Sequence, residues 1–158
     1  MIIEVGESRL HDCLEVIHLG FATVAVEFGL APENCPTNGA FMPLERLQND
    51  FAKGHRMFAI EENGKPVAFM QLSGDGGGAV EMEKLAVLPQ CRHKGYGKTL
   101  IAFAKRKAVQ LGARKITIGI IEENARLKSW YEANGFTHTG QKKFPHLPFT
   151  VGFMECLL

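Results

Sequence analysis

The chain has 158 residues and a formal net charge of +1, and it is 46% hydrophobic and 22% charged, which is typical of one globular domain over residues 1–158. The near-neutral charge gives no electrostatic reason to expect nucleic acid or an anionic membrane as a partner, and no apolar run approaches the ~20 residues of a membrane span. The start lacks the features of a signal peptide and the four cysteines form no C-x-x-C pair, so we expect a cytoplasmic protein with reduced thiols.

A short strand at the start precedes a long amphipathic helix. Ser8 can cap this helix, apolar residues recur at steps of three and four up to Phe28, and Gly29 is suited to end it. A proline-rich loop (Ala31–Pro43) and a short helix around residues 44–51 follow.

The middle of the chain has the patterns of strands. Residues 55–74 predict a hairpin with Asn63 and Gly64 at its turn. The glycine-rich segment 74–78 predicts a hairpin loop, because a strand (79–88) follows it and not a phosphate-binding helix.

The second half alternates between helices and strands. We predict a helix over 96–111, a strand over 115–121, a helix over 124–134, and strands near 136–144 and 150–157. The nearly continuous apolar strand 115–121 is typical of a sheet that is covered on both faces. Strand–helix–strand order implies a parallel pair and the hairpins imply antiparallel flanks, so the fold class is α+β with a mixed sheet.

The stretch "CRHKGYGKTL" (residues 91–100) lies at the junction of the predicted fourth strand and the helix after it. It ends like a nucleotide-binding P-loop, but Arg92 stands where that motif needs its first glycine. A dinucleotide fingerprint fails too, because Leu100 stands at its third glycine. The template Arg-x-x-Gly-x-Gly fits Arg92, Gly95 and Gly97.

This loop has the chemistry of a pyrophosphate site. Its glycines let the backbone approach a ligand, and the amides of residues 93–98 begin a long helix, where unpaired N–H groups and the helix dipole favour an anion. Arg92, Lys94 and Lys98 add positive charge. A tight strand-to-helix turn with lysines in water fits the same residues, and this motif alone does not decide between the two.

A second motif, "NARLKSWYEANGF" (124–136), resembles a signature of the GCN5-related N-acetyltransferase (GNAT) superfamily. Asn124 opens a helix, Tyr131 follows seven residues on, and Gly135 and Phe136 close it. Residues 91–100 resemble the acetyl-CoA loop of the same superfamily, and "KLAVLP" is similar to its bulged fourth strand.

The resemblance implies a fold and a co-substrate. It implies a three-layer arrangement, with a mixed central sheet of about six to seven strands, flanking helices and a cleft where strands four and five splay apart. It implies direct transfer of the acetyl group of acetyl-CoA to an amine of a small molecule or peptide, and a homodimer as a family-level expectation. The acetyl-CoA contacts implied are Leu85, Ala86, Val87, Arg92, His93, Lys94, Gly95, Tyr96, Gly97, Lys98, Asn124 and Tyr131.

Acetyl transfer to an amine needs a base, an oxyanion donor and an acid. Tyr131 is the candidate acid for the leaving thiolate; its alternative role is an aromatic packed beside Trp130. For the base we favour Glu83, then Glu81, because period-two alternation places both on one face of the fourth strand. They also fit solvated strand carboxylates. Some relatives place a carboxylate on the fifth strand, where this chain has Gly119, so a water chain is a further candidate.

The acceptor site is expected between the first loop (Ala31–Pro43) and the last one (Pro145–Phe149). Phe41, His146 and Phe149 are the candidate contacts, which favours a small, partly apolar amine. The six histidines show no metal-ligand spacing, so we expect no catalytic metal. Two other functions stay open: a nucleoside-triphosphate binder, and an acyl-CoA-binding module without catalysis.

Overall fold

The structure, a computed structural model, describes residues 1–158 as a seven-stranded mixed sheet flanked by four α-helices. The elements in chain order are β1 (Ile2–Glu4), α1 (Leu10–Glu27), α2 (Leu44–Ala52), β2 (Arg56–Glu62), β3 (Lys65–Gly74), β4 (Ala79–Val87), α3 (Tyr96–Gln110), β5 (Lys115–Ile121), α4 (Ala125–Ala133), β6 (Thr137–Lys143) and β7 (Thr150–Leu157). This order confirms the succession of strands and helices predicted from the sequence.

The helices cover the sheet from both sides, which confirms the three-layer fold. The strand order is β1-β2-β3-β4-β5-β7-β6, and only β4 and β5 run parallel. One face packs on α1 and α2 around a cluster of 12 buried residues. The other face packs on α3 and α4 around a cluster of 20. None of the helices is long and apolar enough to cross a membrane.

The parallel pair separates after three residues. Ala79–Glu81 pair with Lys115–Thr117, whereas the rest of β4 has no partner on its β5 side. On its other side β4 stays paired with β3 up to Val87. The splayed cleft between the fourth and fifth strands is therefore present, and it opens at the carboxyl ends of both strands.

A β-bulge in β4 lies beside this cleft. Gln71 pairs with Glu83 and Phe69 pairs with Ala86, so two residues of β4 stand opposite one residue of β3. Lys84, in the bulge, has a left-handed backbone with φ +57°. The extra residue shifts the alternation of side chains by one position. Odd-numbered residues of β4 therefore point to one face before the bulge and to the other face after it.

The β2–β3 turn lies where the sequence predicts it, whereas the predicted cap of α1 is wrong. Asn63 and Gly64 both have positive φ at the β2–β3 turn, as a two-residue hairpin loop requires. Ser8 does not cap α1: a 3₁₀ turn over Glu7–Arg9 precedes the helix, and its N-cap, Arg9, makes no side-chain capping bond.

The expectation that β5 is covered on both faces holds only at the end of the strand. Ile116, Ile118 and Ile120 are buried on the α3 side, whereas Gly119 on the opposite face is exposed. The splay leaves Gly119 open to the cleft, but Ile121, on the same face as Gly119, is buried in a cluster with Ala25 of α1.

Helix α1 lies directly on β4 at the cleft, with Gly20 at the closest approach. A Cβ atom there would lie 2.9 Å from Cβ of Ala86 and 3.3 Å from the carbonyl oxygen of Val87. We expect Gly20→Val to lower the free energy of unfolding by about 1–3 kcal/mol through overpacking, measured by urea denaturation. Glu15→Val, on the exposed face of the same helix, should cost only a few tenths of a kcal/mol. Equal stability of the two variants would contradict this close contact.

Candidate active site

The start of α3 is a helix N-terminus without a capping side chain. Gly95 is its N-cap, in the left-handed region at φ +82°; it makes no side-chain capping bond, and the first turn contains no acidic residue. The first amides of the helix therefore have no capping partner and face the end of the cleft. A Cβ atom on Gly95 would meet nothing within 4 Å, so this glycine is needed for its backbone conformation and leaves open space beside it.

The side chains of this loop are largely committed to the protein. Arg92 Nη2 donates to the carbonyl of Gly20 (3.0 Å) and to Oγ1 of Thr23 (2.9 Å), which ties the loop to α1. Lys94 and Tyr96 both reach Glu62 at the end of β2, and the hydrogen bond from Tyr96 holds the pKa of that carboxyl below its usual range. His93 is exposed, with φ +64°, and Lys98 is exposed in the first turn of α3.

Gly97 serves a purpose that the sequence did not indicate. A Cβ atom at this position would lie 3.1 Å from the indole ring of Trp130, so the missing side chain lets α3 and α4 approach each other. Of the two loop glycines, only Gly95 has open space where a ligand can approach.

Residues Leu85–Val87 form the edge of the cleft. Ala86 is buried against α1, whereas Leu85 and Val87 contact the larger cluster on the α3 side. After Glu81 the backbone of β4 has no β5 partner, so its polar groups on that side are free to bind an extended ligand.

Tyr131 is buried on α4 between two aromatic rings. Its ring makes edge-to-face contacts with Trp130 (centroids 5.0 Å apart) and Phe136 (5.4 Å). Burial raises the pKa of its hydroxyl well above the usual value, which keeps the phenol protonated at neutral pH. The predicted acid is therefore in its protonated form at neutral pH.

Asn124 caps α4, as predicted. It is buried, and its Oδ1 accepts a hydrogen bond of 3.1 Å from the amide of Leu127. With Oδ1 committed to the helix, Nδ2 is the atom that is available for a ligand.

Glu81 and Glu83 share one face of β4, as the alternation predicts, and it is the face covered by α1 and α2. A polar cluster that the sequence analysis missed surrounds them. Lys84 Nζ lies 2.9 Å from Oδ2 of Asp50 and 3.2 Å from Oε2 of Glu83. Gln71, fully buried, also bonds Asp50. The available signal was Gln71 itself, a polar residue in the middle of an apolar strand.

The two predicted acceptor loops meet at the end of β5. A small apolar cluster forms there around Ala25, Leu30, Cys35 and Ile121. Phe41 from the first loop and Phe149 from the last one both pack against it. His146 is exposed, with its ring 5.8 Å from that of Phe144.

The other features to consider in the rest of the protein are metal-ligand clusters and cavities lined by predicted site residues. No group of three or more His, Cys, Asp or Glu side chains is arranged to hold a metal ion. Two surface cavities of about 420 and 440 Å³ lie near Gly54, at the end of the sheet away from the loop, and neither is lined by a predicted site residue.

Comparison with known proteins agrees with this geometry. The sequence matches the acetyltransferase (GNAT) family over residues 29–136. It is 32% identical over 148 residues to the peptidyl-lysine N-acetyltransferase YjaB of Escherichia coli (strain K12), covering 93% of this chain and 90% of that protein.

Solved structures share the fold. The ribosomal-protein-S18-alanine N-acetyltransferase of Escherichia coli superposes with a TM-score of 0.79 at 15% identity, over 99% of this chain and 92% of that one. The PaiA N-acetyltransferase of Thermoplasma acidophilum, solved in complex with coenzyme A, gives a TM-score of 0.77 at 16% identity, over 100% and 98%.

A mixed sheet that splits between parallel strands, with an uncapped helix start at the split, belongs to the fold that this chain shares with these solved structures. The chain belongs to the GNAT family, as the resemblance of its two motifs implied. Acetyl-CoA is the co-substrate of this family, which agrees with the prediction.

Proposed function

We propose that this protein transfers the acetyl group of acetyl-CoA directly to a primary amine of a small molecule or a peptide. The observation that carries the proposal is the placement of two kinds of group on opposite faces of the sheet. Glu81 and Glu83 lie on the α1/α2 face, whereas Tyr131 belongs to the cluster on the α3/α4 face. A base and an acid on opposite sides of a thioester suit attack from one side and departure on the other.

The residues around the split fit the parts of acetyl-CoA. The uncapped amides at the start of α3 offer donors to a pyrophosphate, with Lys98 beside them. The unpaired backbone of Leu85–Val87 suits the extended pantetheine arm, and Asn124 Nδ2 can add a contact. When bound, acetyl-CoA supplies an activated acyl group as a thioester.

The chain's own residues have three tasks in this reaction. An alkyl amine with a pKa of ~10.4 is protonated at pH 7, so a β4 carboxylate takes the proton, directly or through water. The amide near Leu85 donates to the thioester oxygen as it gains charge. Tyr131 donates its proton to the departing thiolate, and the second proton of the amine, lost as the amide forms, restores the phenol, so that free coenzyme A and an N-acetyl product leave.

The two loops at the end of β5 support a proposal for the acceptor class. Phe41 and Phe149 contribute apolar surface, and His146 is exposed on the last loop, which supports a small, partly apolar amine. The name of YjaB specifies peptidyl-lysine, so lysine peptides belong in the same screen.

Two wider features complete the proposal. All four cysteines are free and buried, which supports a cytoplasmic location. The homodimer that the resemblance implies stays a prediction.

A screen for thiol release tests the proposed function. Acetyl-CoA is incubated with the protein and a panel of aliphatic amines, aromatic amines and lysine peptides, and free thiol is followed with a chromogenic reagent. We expect thiol release that requires an amine, with the N-acetyl product identified by mass. Binding of acetyl-CoA without release with any amine would favour the non-catalytic module.

A further inference from the structure

A partly buried polar cluster includes the two carboxylates of β4. We call it the β4 cluster; it consists of Asp50, Gln71, Glu81, Glu83 and Lys84. Its members come from α2, β3 and β4, and the sheet brings them to the α1/α2 face beside the split. It adjoins the proposed site, but only its two glutamates have a role there so far.

Lys84 is the centre of this cluster. Its side chain is 8% exposed, and its ammonium lies between the carboxylates of Asp50 (2.9 Å) and Glu83 (3.2 Å). Its left-handed backbone belongs to the bulge, where such a conformation is unfavourable for a residue with a side chain. Burial raises the pKa of Asp50, but hydrogen bonds from Lys84 and Gln71 outweigh this effect and hold it below its usual range.

Gln71 connects the same carboxylates from β3. Its Nε2 lies 3.1 Å from Oδ2 of Asp50 and 3.5 Å from Oε2 of Glu83. Ionised carboxylates only accept hydrogen bonds, so they fix which end of the amide faces them. Its Oε1 is buried without a hydrogen-bond partner, which is uncommon outside functional sites.

Glu81 differs from Glu83 in being free of ion pairs. It is exposed, it is the last residue of β4 that pairs with β5, and it lies two residues from Glu83 on the same face of the strand. Partial desolvation of its carboxylate raises the pKa of Glu81, as do the negative charge of Glu83 and a hydrogen bond shared with it, and Lys84 opposes this increase. A group that exchanges protons with an amine has to be accessible, and of the two glutamates only Glu81 is both accessible and free of an ion pair.

We propose that Lys84, anchored by Asp50, is a positioning residue that holds Glu83 in an ion pair and so leaves Glu81 as the carboxylate that takes the proton of the acceptor amine. This inference rests on the proposed function, because it concerns the base of that reaction. It reverses the order of preference obtained from the sequence, in which Glu83 came first.

Other titratable groups near this face are a lysine–glutamate ion pair and two histidines. Thr117 is the β5 residue opposite Glu81, and beyond it Lys115 and Glu155 form an ion pair of 3.0 Å. His55, before β2, lies 4.0 Å from Oδ1 of Asp50, with its Nδ1 3.1 Å from Gln71 Nε2. On α1, His18 is hydrogen-bonded to the carbonyl of Met42.

Titration of the carboxyl groups tests the inference without any acceptor. The protein is labelled with ¹³C-glutamate, Glu81 is assigned with Glu81→Gln, and its carboxyl shift is followed against pH. We expect Glu83→Gln to move the midpoint of Glu81 to lower pH, because a negative neighbour is lost. We expect Lys84→Met to move it to higher pH and Lys84→Arg to restore it. As a control, Lys115→Met removes a lysine from a different ion pair on this face and should leave the midpoint of Glu81 unchanged.

Two outcomes of the titration overturn the inference. One is a Glu81 midpoint that stays at its wild-type position in both Glu83→Gln and Lys84→Met. The other is a shift of Lys115→Met as large as that of Lys84→Met, which would indicate a general charge effect. If Lys84→Met does not fold, Glu83→Gln decides, since the Glu83 side chain is 31% exposed and tolerates an isosteric change.

Kinetics then separate this inference from the proposed function. With an amine found in the thiol-release screen, Glu81→Gln should lose about 10²-fold or more in kcat/KM, and Glu83→Gln less. The acid limb of the pH profile should move down in Glu83→Gln and up in Lys84→Met, because the base works only when deprotonated. A larger loss in Glu83→Gln than in Glu81→Gln overturns the assignment. A wild-type protein that binds acetyl-CoA without turnover contradicts the proposed function, and the titration still reports on Lys84.

Discussion

Tyr131→Phe is expected to lower kcat by about 10²-fold, or ~2.7 kcal/mol in the activation free energy, while the fold is retained. The substitution removes only the hydroxyl, so the ring keeps its contacts with Trp130 and Phe136. Burial raises the pKa of this phenol, so the wild-type side chain carries the proton that the thiolate needs. The measurement is steady-state thiol release at saturating acetyl-CoA, with an amine from the screen.

The control for this variant is its affinity for coenzyme A. An acid that acts on the leaving thiolate contributes in the transition state, so the dissociation constant should change by no more than a few-fold. An unchanged kcat would show that Tyr131 only packs beside Trp130, which is the alternative role that the sequence left open.

Gly95→Asp is expected to weaken coenzyme A binding by about 10²-fold. At φ +82° Gly95 holds a conformation that Asp and Asn tolerate better than other side chains. A carboxylate there lies at the uncapped start of α3, where it competes for the amide donors and repels a pyrophosphate. The loss of one charge-assisted hydrogen bond, worth ~1.5–3 kcal/mol, together with this repulsion gives an effect of that size. Isothermal titration with coenzyme A measures it.

Two matched variants isolate the charge from the backbone. Gly95→Asn has nearly the same shape without the charge and should bind more tightly than Gly95→Asp. Gly112→Asp introduces the same residue at φ +80° beyond the other end of α3, also with nothing within 4 Å, and should bind coenzyme A like the wild type. Equal losses in Gly95→Asp and Gly112→Asp would contradict an anion site at residues 93–98.

Local chemistry made the outline of the fold predictable. Asn63 and Gly64 define a hairpin turn, Asn124 caps α4, and Gly135 follows that helix at φ +94°. Each feature depends on a few neighbouring residues whose preferences are strong. The predicted cap of α1 was wrong, because Ser8 lies inside a 3₁₀ turn that precedes the helix and not at the helix start.

The bulge in β4 limited what alternation could say about the site. Alternation placed Glu81 and Glu83 on one face correctly, but it gave no sign that Leu85 and Val87 face the other side. Lys84 lies in the bulge that shifts the alternation, and a lysine gives no indication in the sequence of a left-handed backbone. Only the pairing with β3 fixes the extra residue, and that is a long-range property.

Side-chain partners across the fold were likewise beyond the sequence. Arg92 and Lys94 were counted as charges for a pyrophosphate, whereas Arg92 binds α1 and Lys94 pairs with Glu62. Asp50 and Lys84 are 34 residues apart and become neighbours only when α2 packs on the sheet. Motif spacing locates a loop, but it does not show which of its charges remain free.

Thermal unfolding with acetyl-CoA, free coenzyme A and ATP–magnesium in parallel tests the central claim most directly, that the cleft and the loop after β4 form an acetyl-CoA site. A ligand at 100 times its dissociation constant adds ~2.7 kcal/mol, which raises the midpoint by about 5–10 °C for a chain of this size. We expect both coenzyme A species to stabilise the protein and ATP–magnesium to leave the midpoint unchanged. No response to either coenzyme A species, or a response to ATP alone, would contradict this account of residues 91–100 and the acetyl transfer proposed from it.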